Sequence, residues 1–246
     1  ANPAPTADMT LLSALLAAYR EPQRHYHTLQ HLAECVAQFD ALRSLAQRAA
    51  EVECALWFHD AIYDVRAHDN EQRSARWATQ ALVAAGVGAD TVARIDALIL
   101  ATRHTALPAP GDQQLLVDID LAILGADPAR FAQYEAQVRE EYAWVPDSVY
   151  RQKRAAILQQ FLGRDRIYGT VAMQERLEDA ARRNLVGSIK ALDGTACTAK
   201  GFALLHKLPQ LRRLTLNRSG VTDKELAEIA GCVQLRTLIL PQSAVT

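Results

Sequence analysis

With 246 residues, half of them hydrophobic and 22% charged, the chain is long enough for one large domain or a medium domain with a small companion. Its formal net charge of −1 offers no bulk attraction for nucleic acid or an anionic membrane, so neither is expected as a partner and small-molecule chemistry stays open. No apolar run approaches the roughly 20 residues that span a bilayer, and Ala1 to Asp8 lacks the basic and apolar regions of a signal peptide, so a cytoplasmic location is expected.

From Met9 to about Leu185 the chain is rich in Ala, Leu, Gln, Glu and Arg, and apolar residues recur at spacings of three and four. That is the pattern of amphipathic helices, and about nine are expected, forming an all-α bundle over residues 9–185. The first helix ends at Glu21-Pro22, because the residue before a proline is pushed out of helical geometry. There follow Leu29 to Leu45, Val52 to Tyr63, Asn70 to Ala85, Asp90 to Thr102, Gln113 to Leu124, Pro128 to Tyr142 and Asp147 to Leu162. Leu107-Pro108-Ala109-Pro110-Gly111 reads as a loop, and Asp69, Asp127 and Asp147 are placed to cap helix starts.

After Arg182-Arg183-Asn184 the texture changes, and residues 186–246 match themselves at an offset of 24. Leu211-Arg212-Arg213-Leu214-Thr215-Leu216 returns as Leu235-Arg236-Thr237-Leu238-Ile239-Leu240, and Gly220-Val221-Thr222 echoes Ala196-Cys197-Thr198 and Ala244-Val245-Thr246. About two and a half such units resemble leucine-rich repeats, with a helix expected over Thr222 to Gly231, and imply an α/β segment able to recruit a protein partner. Cys35, Cys54, Cys197 and Cys232 form no C-x-x-C pair and lie among apolar neighbours, so they read as reduced core thiols.

Three features carry chemistry. Arg24-His25-Tyr26-His27-Thr28-Leu29-Gln30-His31 holds three histidines in seven residues, and a helix starting near His27 would put His27 and His31 on one face. Trp57-Phe58-His59-Asp60-Ala61-Ile62-Tyr63-Asp64 sets a His-Asp pair in an apolar helix, where an acid is costly to bury unless paired or bound to metal. Leu115-Leu116-Val117-Asp118-Ile119-Asp120 puts two acids in an apolar run, and at least one of them should face inward.

The ordered set of His, His-Asp and Asp resembles the HD superfamily, whose signature H…HD…D holds a divalent metal. His31 takes the first position, His59 and Asp60 the doublet, and Asp120 the last, which the family pattern favours over Asp118. A bacterial subgroup of predicted HD phosphohydrolases is similar over a longer stretch, about residues 10 to 175. It shares motifs like Arg24 to His31, Phe58 to Asp64, Asp69 to Ala75, Asp120 to Gly125, Val145 to Tyr150 and Phe161 to Tyr168.

The resemblance implies hydrolysis of a phosphate ester or anhydride, in a nucleotide or another small phosphorylated molecule, by metal-activated water. Two His and two carboxylates suit Mn, Fe, Co, Ni, Zn or Mg. Asp64, one turn beyond Asp60 on the expected helix, would orient the water or act as base alongside Asp60, unless it is a surface acid. Glu71 has a similar catalytic reading, or serves the helix dipole. Arg24, His27, Arg73, Arg103 and His104 are the candidates for contacting substrate, with His104 also placed to hold a second ion. The competing expectation is a nucleotide-sensing or protein-interaction module with an HD fold and little turnover.

Overall fold

A computed structural model describes residues 7–192, 213–215 and 236–239, with side chains described for residues 10–192 and for Arg236. Nine α-helices run in order among them: α1 Ala7–Ala18, α2 Leu29–Leu42, α3 Ala49–Phe58, α4 Asn70–Ala84, α5 Ala89–Ala101, α6 Asp112–Asp120, α7 Pro128–Glu141, α8 Asp147–Leu162 and α9 Val171–Leu192. Two of the expected helices tighten into 3-10 turns at their ends, Arg43–Leu45 after α2 and Leu121–Gly125 after α6. Caps act locally: Thr28 opens α2 by accepting from Gln30 N at 3.3 Å. Asp127 opens α7 by accepting from Ala129 N and Arg130 N, with Pro128 in the first turn where its missing N–H costs nothing.

The described residues divide into two compact units. The first comprises the chain up to Pro146 together with Arg164–Asn184, and is all-helical. Its core joins Tyr19, Leu32 and Phe39 with Val52, Leu56, Ile95, Ile99, Leu115, Leu116, Ile119 and Leu124, all nearly inaccessible to solvent. α5 packs on α3 and α4, and α2 packs on α3 and α6, so the three helices carrying the candidate ligands share that core. Burying a Leu, Ile or Phe contributes about 1.5–3 kcal/mol each, which fixes these helices against one another before any polar contact is counted.

The second unit takes Asp147–Gly163 and the described residues from Leu185 onward, so α8 belongs with it, and α9 continues through the expected boundary at residue 185. In it β1 Arg213–Thr215 and β2 Thr237–Ile239 pair in parallel, with Arg213 opposite Thr237, Leu214 opposite Leu238 and Thr215 opposite Ile239. Each pair is 24 residues apart. The helix expected over Thr222 to Gly231, and the rest of the repeat-like segment, lie outside the described residues.

α3 differs from expectation in a way that matters for the site. The apolar run through Tyr63 predicts continued helix, but α3 stops at Phe58 and His59 and Asp60 form the turn that follows. Asp64 is therefore not one helical turn beyond Asp60. The cause is tertiary: the buried Arg24 guanidinium takes the carbonyls of Asp60 and Ala61, the second at 3.0 Å, and draws them out of the helical ladder.

Candidate metal centre

Each candidate ligand is aimed by a separate device. His31 lies in the first turns of α2, 2% exposed. His59 closes α3, and its Nδ1 stands 2.7 Å from the Leu56 carbonyl. A carbonyl only accepts, so Nδ1 carries the proton and Nε2 is the atom presented inward, the arrangement that orients histidines at metal sites. Arg24 holds the turn bearing Asp60 through the carbonyls of Asp60 and Ala61. It also donates to His27 O at 3.3 Å and Glu21 Oε2 at 2.9 Å, and its guanidinium lies over the Tyr19 and Tyr63 rings.

The acids of α6 part company because residues two apart on a helix are about 200° apart around its axis. Asp118 accepts from Gly169 N at 2.7 Å, Thr170 N at 2.7 Å and Thr170 Oγ1 at 2.6 Å, holding the turn that leads into α9. Asp120 faces the histidines.

Five distances define the cluster. His31 Nε2 is 3.2 Å from His59 Nε2, 3.5 Å from Asp60 Oδ2 and 3.2 Å from Asp120 Oδ1. His59 Nε2 is 3.1 Å from Asp60 Oδ2 and 3.6 Å from Asp120 Oδ1. Ligand atoms bound to one ion at about 2.1 Å are separated by about 3.0 Å in octahedral cis positions and about 3.4 Å in a tetrahedron. The cluster spans that interval, so the residues fit one divalent ion. The histidines are 2% and 1% exposed in their side chains, the carboxylates 16% and 13%, so solvent reaches the cluster from the carboxylate side.

Protein-family models, curated proteins and solved structures offer no match to the chain.

The electrostatics agree with a cation-binding set. Burial opposes charge on His31 and His59, but Cys35, Tyr26, Asp120 and Asp60 around the first, and Asp60, Tyr19 and Asp120 around the second, hold both imidazoles well above their ordinary range. Burial likewise opposes ionisation of Asp60 and Asp120. The neighbouring imidazoles overcome it, His59 and His27 foremost for Asp60 and His104 for Asp120, and keep both carboxyls well below theirs. A divalent ion would compete with protons for these histidines.

Around this set stand two further histidines. His104 Nε2 is 3.1 Å from Asp120 Oδ2, so Asp120 lies between His104 on one oxygen and His31 on the other. His104 has φ +55°, a left-handed conformation uncommon outside glycine, at the end of α5. His27 stacks on Tyr63 at 3.9 Å between centroids, and its Nδ1 is 2.8 Å from Glu141 Oε2.

Glu141 was not singled out by sequence, since Arg139-Glu140-Glu141 reads as an ordinary acidic helix end. Its side chain is fully buried. One oxygen accepts from the successive backbone N–H groups of His25, Tyr26 and His27 at 2.8–3.0 Å, and the other meets His27 Nδ1 and the Tyr63 hydroxyl. Cys35, read as a plain core thiol, is the other addition. His31, Cys35, His59 and Asp120 each offer a ligand atom, all within 4.8 Å of one another.

The remaining candidates lie apart from the cluster. Asp64 is exposed, with Oδ1 accepting from Arg66 N at 2.9 Å in a tight turn that Asn70 closes on the Asp64 backbone. Asp64 and the exposed Arg73 line a cleft of about 520 Å³ with Glu21, Tyr63 and Trp77, which no cluster ligand lines. Glu71 stands half-buried in the first turn of α4. Arg103 is exposed, and its guanidinium faces the side-chain amide of Gln72. No helix among the described residues is long and apolar enough to cross a membrane.

Proposed function

We propose that the helical domain is a divalent-metal-dependent phosphohydrolase of the HD type. Its substrate is a phosphate ester or anhydride, in a nucleotide or a similar small phosphorylated molecule met in the cytoplasm. The observation that carries this reading is the cluster of His31, His59, Asp60 and Asp120, with ligand atoms 3.1–3.6 Å apart and the carboxylate side open to solvent. These four residues would hold the ion. A divalent ion bound there would polarise a phosphoryl oxygen and bring the pKa of bound water to about 7.

The protein's own groups supply the rest. Glu141 fixes the orientation of the His27 ring through Nδ1, and the His27 side chain, 20% accessible, is placed to contact substrate. His104 holds the second oxygen of Asp120 and so keeps Oδ1 turned toward the histidines. Arg24, with its donors spent on carbonyls and Glu21, braces the ligand-bearing turn rather than meeting phosphate.

Protein purified without a histidine tag should retain a divalent ion, and with added Mn should release phosphate or pyrophosphate from members of a nucleotide panel. Asp60→Ala should abolish the release. Tight nucleotide binding without turnover under any metal would instead support a sensing module whose repeat-like segment recruits a protein. The parallel pairing of Arg213–Thr215 with Thr237–Ile239 at a 24-residue offset favours the repeat part of that alternative, because stacked leucine-rich units pair strands one repeat apart.

A further inference from the structure

Cys35 follows His31 by four residues on α2, so both side chains leave the same face of the helix. The thiol is 2% exposed, and its sulfur lies 3.7 Å from both ring nitrogens of His31. Cys35 offers its sulfur within the group in which one ligand atom from each of His31, Cys35, His59 and Asp120 lies within 4.8 Å of the others. No other described cysteine is near: Cys54 lies on α3, half-buried, and is not among the residues that converge on the cluster.

A second observation points to the same spot. Tyr26 is 4% exposed and its hydroxyl has no hydrogen-bond partner. That hydroxyl lies within electrostatic reach of His31, Cys35 and Asp120, and the Tyr26 ring rests on the His31 ring at 4.7 Å. An orphaned buried hydroxyl costs about 1–3 kcal/mol unless something it can bond to arrives. A metal-bound thiolate is such an acceptor, and O–H donation to sulfur is the kind of outer contact that tunes a thiolate ligand.

We propose that Cys35 is a sulfur ligand of the centre, with the Tyr26 hydroxyl donating to it, and that it makes the site select a thiophilic ion such as Zn or Co over Mg or Mn. The inference rests on the metal-centre reading above and deepens it. His31, His59, Asp60 and Asp120 alone would leave Mg and Mn competitive, because imidazole and carboxylate together suit the whole series, whereas a thiolate shifts preference toward the softer ions.

Cobalt titration of the full chain separates this claim from the one beneath it. The wild type should develop visible d–d bands, which report binding, and a near-ultraviolet thiolate-to-cobalt charge-transfer band. Cys35→Ala should keep the visible bands, lose the near-ultraviolet band, and bind Zn at least about tenfold more weakly relative to Mn. Tyr26→Phe should keep the charge-transfer band but shift it. Visible bands without a near-ultraviolet band in the wild type, or a band that survives Cys35→Ala, would overturn the sulfur ligand while leaving the centre intact. No cobalt binding at all would overturn the centre itself. If Cys35→Ala fails to fold, the wild-type spectrum beside Cys54→Ala decides: a band lost in Cys54→Ala refutes the assignment.

Discussion

His59 donates its Nδ1 proton to the Leu56 carbonyl at 2.7 Å, which leaves Nε2 to face Asp60 Oδ2 at 3.1 Å and His31 Nε2 at 3.2 Å. Cys35 and Tyr26 foremost around His31, and Asp60 around His59, hold both imidazoles well above their ordinary range against burial, so an arriving ion competes with protons. Divalent-ion affinity should therefore rise with pH through the neutral range, with protons released on binding. Calorimetric titration with Zn in two buffers of different ionisation heat checks this, and a binding heat independent of buffer would refute it.

The metal-free stability has its own pH window. Raised imidazole pKa values add stability that is present below the unfolded-state value and lost as pH rises through the folded one. The lowered carboxyls of Asp60 and Asp120 add stability that is present above their unfolded values and lost as pH falls through the folded ones. Saturation with ion at about a hundred times its Kd should add about 2.7 kcal/mol, read as a rise in Tm that chelator reverses.

Arg24→Lys tests whether that side chain braces the site or meets phosphate. The guanidinium bonds His27 O, Asp60 O, Ala61 O and Glu21 at once, and an ammonium cannot reproduce that planar fork. Chemical denaturation should show a loss of about 3 kcal/mol, as expected for breaking a buried charged network, together with weaker metal binding as the Asp60 turn loosens. An unchanged midpoint with only a raised KM would return Arg24 to the phosphate.

Much of the centre was legible because burial is legible. His31, His59 and Asp60 sit in apolar helical patterns where polar groups need partners, and the structure brings them to within 3.5 Å of one another. Burial alone could not separate Asp120 from Asp118, since both acids are embedded in Leu and Ile; the family resemblance favoured Asp120, and the position of Gly169 and Thr170 shows where Asp118 is used. The end of α3 was illegible for a similar reason. Ala61, Ile62 and Tyr63 continue the helical pattern, and what stops the helix is Arg24, 36 residues earlier than Asp60. Glu141 was hidden most completely, because its partners lie more than a hundred residues before it.

Glu141 should govern the acid limb of stability. Burial opposes its charge, but His27 and the backbone N–H groups of His27 and His25 overcome this and lower its pKa from 4.5 to about 2. A lowered carboxyl contributes stability that is present above the unfolded value and lost as pH falls through the folded one. The contribution is about 3 kcal/mol near neutral pH at 1.36 kcal/mol per unit, fading between about pH 4.5 and 2. Glu141→Gln should lose stability at pH 7 and flatten the acid slope in denaturant titrations. A difference from wild type that is the same at pH 7 and pH 3 would contradict this account.

Asp118 and Asp120, two residues apart, should separate stability from metal binding. Asp118→Asn keeps one oxygen for the start of α9 but sets an amide against the three donors of Gly169 and Thr170. Disrupting these buried hydrogen bonds costs about 1–3 kcal/mol, and metal stoichiometry should stay at the wild-type value, because the Asp118 carboxylate is engaged by Gly169 and Thr170. Asp120→Asn leaves the turn before α9 intact but removes the charge shared among His31, His59 and His104. Metal affinity should fall by at least about tenfold, and the metal-free protein should lose stability less steeply as acid is added, since a carboxyl with a strongly lowered pKa is gone. Parallel thermal denaturation and metal analysis of the two variants measures both effects. If Asp118→Asn lost the metal, or Asp120→Asn kept it at full affinity, the division of labour on α6 would be reversed and the centre would have to be rebuilt around Asp118.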